Sequence, residues 1–226
     1  LMNSNTDIKN KLLPEIISGE KIGTFALYES DKYEIGDDTI ESNLASSGDG
    51  MLLNGTKKYV MFGDVSDYIA VLTKSNDGFK FVLVEAKQQG VEIVQTPSLD
   101  QSRPLAEVTF TDVVIEPENI MIELDQELSI WNKVQNIATA FLAMEQVGGS
   151  QACLEMSTSY AKERIQFGRP IGSFQAIQHI CANMLLQIES AKSLAYNAVR
   201  VDIDDQTELE MSALLAKSYC SEVYNK

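Results

Sequence analysis

Four side chains gathered near one turn have the donors to hold an anion. Arg164, Gln166 and Gln175 flank the stretch Gly168-Arg169-Pro170-Ile171-Gly172, and the chain's single histidine, His179, follows shortly after. A guanidinium, two side-chain amides and the free N–H groups of a starting helix form a donor set suited to phosphate. The same spacing fits a helix–loop–helix connector whose polar side chains are simply solvated. Spacing alone leaves both readings open.

Bulk properties narrow the partners. The 226 residues allow one large domain or two small ones, each with a core of its own. Formal net charge is −15, from 18 basic and 33 acidic residues. Nucleic acid and anionic membrane both call for basic faces, so neither is expected as a partner. A phosphate ligand needs only a few local donors and stays allowed. The three cysteines, Cys153, Cys181 and Cys220, are odd in number and lack metal-ligand spacing. They read as reduced, buried small residues of a cytoplasmic protein. The polar start, LMNSNTDIKN, does not read as a signal peptide, so none is expected, and no apolar run approaches the roughly 20 residues of a spanning helix.

The elements that must position the donors fall into two regions. Residues 1–20 read as the end of a helical region or linker, with Leu12-Leu13-Pro14 in a short helix or turn closed by Ser18-Gly19-Glu20. Residues 21–123 carry seven short apolar runs, GTFALY, IESNLAS, GMLLNGTKKYVMF, YIAVLT, FKFVLVEA, VEIVQT and AEVTFTDVVI, separated by turn residues. Phe79, Phe81 and Leu83 alternate with Lys80, Val82 and Val84, as in a half-buried strand. Asn54-Gly55 is a strong hairpin signal, and Asp49-Gly50 and Asp77-Gly78 are two more. The pattern predicts an antiparallel β-barrel or sandwich, ended by Pro117-Glu118-Asn119.

Residues 124–226 turn helical. Ile130, Val134, Ile137, Ala138, Phe141 and Leu142 recur with helical period, predicting a helix from Ser129 to about Glu163. Gly148-Gly149 in its middle suggests another backbone or a ligand passing close. A second helix is expected from about Phe174 to Arg200, its apolar face including Ile177, Ile180, Met184, Leu185, Ile188, Ala191 and Ala195. A third runs from Glu208 to Tyr224 with Thr207 as its N-cap. The fold class is therefore α+β: a β-barrel or sandwich domain, then an antiparallel bundle of long helices. Such long helices need a fourth helix or a partner chain to cover their faces.

The run R-x-Q-F-G-x-P-I-x-x-F-Q-A-I-Q, from Arg164 to Gln178, is similar to the signature of the acyl-CoA dehydrogenase family. Leu53-Asn54-Gly55-Thr56-Lys57-Lys58-Tyr59 resembles that family's L-N-G-x-K-x-W. Arg103 to Met121 resembles the run that closes its β-domain, and Leu13 to Leu27 the run that leads into its first flavin-contacting strand. The resemblance covers nearly the whole chain. It implies FAD as cofactor and α,β-desaturation of an acyl thioester, on CoA or a carrier protein, in fatty acid metabolism. It also implies a homodimer or homotetramer, and a separate flavoprotein as electron acceptor. By the same resemblance Arg164, Gln166, Phe167 and Gln175 hold the pyrophosphate side of FAD bound to a neighbouring subunit. Leu27, Tyr28, Tyr59 and Met61 line the ring.

Departures from the family pattern are expected to matter. Relative to the family, an N-terminal helical domain and the end of the C-terminal domain fall outside this sequence. The usual catalytic glutamate lies in that absent end. The alternative position on the first long helix is Ala138, and nothing marks Glu145 as a base, so no residue here is assigned as catalytic. Where the family reads T-E-P-x-x-G-S-D, this chain reads Tyr28-Glu29-Ser30-Asp31-Lys32-Tyr33-Glu34-Ile35, with Glu34 near the place of the lost serine. Where the family has W-I-T-N-G, it reads Tyr59-Val60-Met61-Phe62-Gly63. The phosphate half of the site is thus kept and the ring half altered. That leaves two alternatives to an active enzyme: a degenerate, non-catalytic member serving as the structural subunit of a hetero-oligomer, or a bundle unrelated to flavin.

Overall fold

A computed structural model describes residues 6–31, 35, 38–47, 50–123 and 129–226. Two compact units divide the chain, Leu1–Leu128 and Ser129–Lys226.

The first unit opens with α1 (Thr6–Ser18), longer than the turn signals predicted. Ile8, Leu12 and Ile16 share one face and pack against Tyr68 and Leu83. Burying two aliphatic side chains contributes about 1.5–3 kcal/mol each, enough to offset the roughly 3 kcal/mol cost of Pro14 inside the helix. Gly19, at φ 77°, ends it.

Eight strands follow: β1 (Gly23–Ala26), β2 (Asn43–Ser47), β3 (Gly50–Met61), β4 (Tyr68–Ser75), β5 (Gly78–Glu85), β6 (Val91–Thr96), β7 (Leu105–Ile115) and β8 (Ile120–Glu123). They form one sheet in the order β6-β7-β3-β2-β4-β5-β8, with β1 added beside β4. Of the expected antiparallel barrel or sandwich, the β domain forms as a sheet that is not closed into a barrel: β6 and β8 end it, and β1 runs parallel to β4, from Gly23↔Tyr68 to Ala26↔Val71. Between them the chain makes the β2–β3 hairpin and returns in the same direction. Turn signals count strands but do not reveal that crossover. β8 lies beyond the turn Pro117–Asn119, where the sequence had ended the β region, and pairs with β5.

The core is the cluster of Leu44, Leu53, Val60, Ile69, Val71, Val82, Val84, Val108, Phe110, Val113 and Ile115. Residues 80–84 of β5 are all buried, so that strand is covered on both faces rather than alternating. The Asp77-Gly78 hairpin forms as read, with Ser75 opposite Gly78. Asp49-Gly50 touches residues outside those described, although Ser47 does pair with Gly50. Asn54-Gly55 is not a turn; it lies inside β3. The Asn54 amide donates to Asp112 Oδ1 at 3.0 Å, and the Asp112 N–H donates back to Asn54 Oδ1 at 2.9 Å. This exchange closes a bulge in which β7 carries the extra residue, with Asp112 at φ 49°. Gly55, at φ 144°, is required because a Cβ there would lie 2.5 Å from Ser42 Cβ.

The second unit holds α2 (Ser129–Glu163), a two-residue hairpin of β9 (Ile165–Gln166) and β10 (Arg169–Pro170), a 3-10 turn Ile171–Ser173, α3 (Gln175–Ala198) and α4 (Gln206–Tyr224). α2 has 35 residues, about 52 Å at 1.5 Å per residue. Its buried face is not the predicted one. Ala140, Ala143, Val147 and Leu154 pack with Ile188, Ala191, Ala195, Ala213, Ala216 and Cys220, while Val134, Phe141 and Leu142 are exposed. Small residues let the axes approach closely, and the bulkier stripe, which dominates a sequence pattern, is left outside. Likewise Ile180 and Leu185 of α3 are exposed. Gly149 faces a side chain rather than a backbone or ligand: a Cβ there would meet Tyr224 Cε2 at 2.6 Å, while Gly148 faces open space. The N-cap of α4 is Asp205, not Thr207, its carboxylate accepting from the Glu208 N–H at 3.0 Å. Of the cysteines only Cys220 is buried; Cys181 is half-buried and Cys153 exposed.

Candidate functional site

Between α2 and α3 the chain reverses in a hairpin. Gln166 pairs with Arg169, and Phe167 (φ 54°) and Gly168 (φ 77°) make the two-residue loop. Two successive positive φ values define a type I′ turn, normally built on Asn-Gly. Phe167 accepts a left-handed backbone at a cost of about 1–2 kcal/mol. In return its ring stands 92% exposed at the tip. It meets Phe174 edge to face at 6.1 Å between centroids, and the Arg169 guanidinium lies 4.2 Å from the Phe174 ring centroid.

The hairpin is held from below. The Ile171 N–H donates to Arg164 O at 2.8 Å, and Gln178 Nε2 donates to Gly172 O at 2.9 Å. A Cβ at Gly172 would lie 2.9 Å from Ala161 O, so only glycine lets this turn sit on the last turn of α2. Arg164, Gln166 and Gln175 are exposed, and no side-chain hydrogen bond or ion pair engages them among the described residues. Phe174, the N-cap of α3, makes no side-chain cap; the Ile177 and Gln178 N–H groups donate to Phe174 O, which leaves the Gln175 and Ala176 N–H groups available. Arg164, Gln166, Phe167 and Gln175 are therefore on one short stretch, with unpaired donors of the kind a pyrophosphate takes. His179 is exposed on α3.

The other four candidates gather in the β unit. Segment 23–28 runs beside the far end of β3: Thr24 Oγ1 donates to Met61 O at 2.6 Å, and the Lys58 N–H donates to Tyr28 O at 2.7 Å. Here β3 carries a second bulge. Lys57 pairs with Val108 and Val60 with Ala106, so two residues of β3 stand opposite one of β7, with Tyr59 at φ 56°. Regular alternation from Leu53 through Lys57 would turn residues 59 and 61 inward. The extra residue brings Val60 inward instead, and Tyr59 and Met61 emerge 40% and 43% exposed. The Tyr59 hydroxyl donates to Asp31 Oδ1. Met61 contributes no donor, and Glu34 lies outside the described residues.

Beneath this wall is an ion pair that sequence reading missed. Lys57 is fully buried, its ammonium donating to Glu29 Oε1 at 2.6 Å and to Leu27 O at 3.1 Å. The Glu29 carboxylate also accepts from the Glu41 N–H at 2.6 Å and the Ser42 N–H at 3.0 Å. Burial pushes the Glu29 carboxyl up, but hydrogen bonds from Lys57 and Ser42 and the Lys57 charge outweigh it and hold the group below its ordinary range. Burial pushes the Lys57 ammonium down, and Glu29 offsets only part of that. A lysine flanked by polar residues gives no pattern signal of burial. The available sign was its place two residues before an aromatic in the L-N-G-x-K-x-Y run.

Among the described residues no group of histidine, cysteine and acidic side chains could hold a metal ion, and no helix is long and apolar enough to cross a membrane. The alternative base position, Ala138, and Glu145 are both exposed on α2.

Residues 134–226 match the family model described as acyl-CoA dehydrogenase, C-terminal domain. The chain is 30% identical over 98% of its length to the 3-(aryl)acrylate reductase of Clostridium sporogenes, spanning 60% of that protein. It is 29% identical over 100% of its length to the caffeyl-CoA reductase-Etf complex subunit CarC of Acetobacterium woodii, spanning 61% of it. The structure superposes with a TM-score of 0.85 on glutaryl-coenzyme A dehydrogenase in complex with glutaryl-CoA, at 27% identity, over 99% of this chain and 60% of that one. The chain thus spans about three fifths of the proteins it matches.

Proposed function

We propose that the chain belongs to the acyl-CoA dehydrogenase family, which it resembles in sequence and structure, and that the complete protein is a FAD-dependent oxidoreductase acting on the α,β bond of an acyl thioester. The observation that carries this reading is the Arg164–Gln178 run, folded as a hairpin with its phosphate-type donors unpaired. Bound FAD would supply the two-electron chemistry, taking a hydride from the β-carbon or returning one to it. The residues of this chain bind and orient it. Arg164 pairs with a phosphate, Gln166, Gln175 and the first N–H groups of α3 add neutral donors, and Phe167 packs on the cofactor. Leu27, Tyr28, Tyr59 and Met61 line the ring side: Tyr59 stands as an aromatic wall, and Met61 offers apolar contact only.

The proton at the α-carbon must be handled by a base that this chain does not supply, since Ala138 has only a methyl group at the alternative position. The acyl group rides on CoA or a carrier protein. The protein works in the cytoplasm as a homodimer or homotetramer, with the phosphate side of each FAD site completed by a second copy and a separate flavoprotein exchanging electrons with it. Two observations support the assembly. Phe141, Met156, Leu186 and Leu214 leave apolar surface on all three long helices. One relative is named as a subunit of a complex with Etf.

The altered ring half favours a second reading, a non-catalytic member serving as the structural subunit of a hetero-oligomer. The visible spectrum of the complete protein after dialysis separates the two. A yellow protein whose flavin bleaches on adding an acyl-CoA supports desaturation. A dithionite-reduced flavin reoxidised anaerobically by an α,β-enoyl-CoA assigns the reductive direction that two relatives are named for. A colourless protein that takes up no added FAD rules out the enzyme.

A further inference from the structure

Glu29 and Lys57 form a clasp whose position is more informative than its strength. Taking two charges out of water costs several kcal/mol per ion, and a pair of apolar side chains in the same place is often as stable or more so. A buried pair is therefore poorly explained by stability alone. This one ties three segments together at a single carboxylate: β3 through Lys57, the start of β2 through the Glu41 and Ser42 N–H groups, and the stretch after β1 through Glu29 itself. Lys57 adds a fourth link by donating to Leu27 O. Ser42 is also the residue that approaches Gly55 too closely for any Cβ. The clasp thus lies one residue from Tyr28 and two from Tyr59, directly beside the bulge that turns Tyr59 and Met61 outward.

We propose that Glu29 and Lys57 are positioning residues for the ring side of the flavin site, fixing segment 27–29 and the β3 bulge so that Tyr28 and Tyr59 present a preformed wall. The inference rests on the FAD reading above. Without the clasp, Leu27 loses its bond from Lys57 and segment 27–29 is tied less firmly to β3, although the Lys58 N–H still reaches Tyr28 O, and the wall must be ordered at the expense of binding. The phosphate side, on the α2–α3 hairpin, does not depend on it.

That separation gives the test. In the complete protein, the double substitution Glu29→Leu with Lys57→Met replaces the pair by apolar groups of similar size. FAD and ADP binding are titrated side by side, ADP probing the phosphate side without the ring. The clasp predicts unchanged ADP affinity, FAD affinity lowered at least about tenfold, equivalent to about 1.4 kcal/mol, and an altered absorption band of the bound flavin. Unchanged FAD affinity and an unchanged band overturn it. If the double variant does not fold, Glu29→Asp serves. It keeps the charge but withdraws the carboxylate by one methylene, and it should lower FAD affinity while sparing ADP; equal loss of both, or of neither, overturns the proposal. A wild-type protein that binds no FAD overturns the flavin reading, and the clasp proposal with it, whereas wild-type binding with an unaffected variant removes the clasp alone.

Discussion

At the scale of single residues, Arg164 is the sharpest handle on the site. Its guanidinium is exposed, and no partner engages it among the described residues, so removing it breaks nothing internal. Arg164→Ala should therefore leave the melting temperature unchanged. It should lower FAD affinity at least about tenfold, the loss of one charge-assisted hydrogen bond. An unaltered FAD titration would remove Arg164 from the site. Glu29 reads out through pH. Burial pushes its carboxyl up, but hydrogen bonds from Lys57 and Ser42 and the Lys57 charge hold it below its ordinary 4.5. It therefore contributes stability above the unfolded value, and that contribution fades as pH falls through the folded one. The depressed ammonium of Lys57 acts only on the alkaline side. Melting temperatures of wild type and Glu29→Gln should thus converge as pH drops below about 4.5 and separate again at pH 7; a constant gap would contradict the linkage. The candidate donors at the α2–α3 turn were legible because Arg164, Gln166 and Gln175 lie close together in the sequence. The clasp was not, because Glu29 and Lys57 are 28 positions apart and only the sheet brings them together.

Elements were legible where their signal is local. All seven predicted strands form, because alternating runs bounded by turn residues need no knowledge of the rest of the chain. Asn54-Gly55 misled because the same dipeptide that makes a hairpin also suits a bulge with a close neighbour behind it. Gly55→Ala should cost at least about 2 kcal/mol in a denaturation titration, since the new Cβ would meet Ser42 Cα at 2.7 Å at a φ that side chains rarely adopt. The α2 face was misread because hydrophobicity, not size, drives the periodic signal and the buried cluster is mostly alanine, whereas Ile188, Ala191 and Ala195 of α3 are buried as expected. The two glycines of α2 separate the effects of helix propensity and packing. Gly148→Ala meets open space and should stabilise by about 0.5–1 kcal/mol. Gly149→Ala must displace the Tyr224 ring and should forfeit that gain, and equal effects at the two positions would show that Tyr224 does not seat there.

For the whole molecule, periodicity anticipated that a β unit and a long-helix unit follow one another in one chain, because each has its own repeat. Composition argued against polyanionic partners but could not tell an open sheet from a barrel, because strand count is the same in both. The apolar residues left on α2, α3 and α4 are an assembly-scale feature. Light scattering of the complete protein should give the mass of a dimer or larger, and FAD content should fall together with assembly when the protein is diluted. A monomer that keeps its FAD would rule out a site shared between copies.

The bulge at the end of β3 also sets how this region can change in length. Deleting one residue between Lys57 and Val60 would restore regular alternation with β7. It would leave Val60 inward and Met61 outward, because Val60 would then stand two residues after Lys57, so the loss would fall on one outward position and not on the core. A one-residue insertion or deletion elsewhere within the strand would instead turn every later side chain to the other face of the sheet. Length variation among relatives of this chain should be confined to the connections, such as residues 97–104 between β6 and β7, where an added residue shifts no side chain from one face of the sheet to the other.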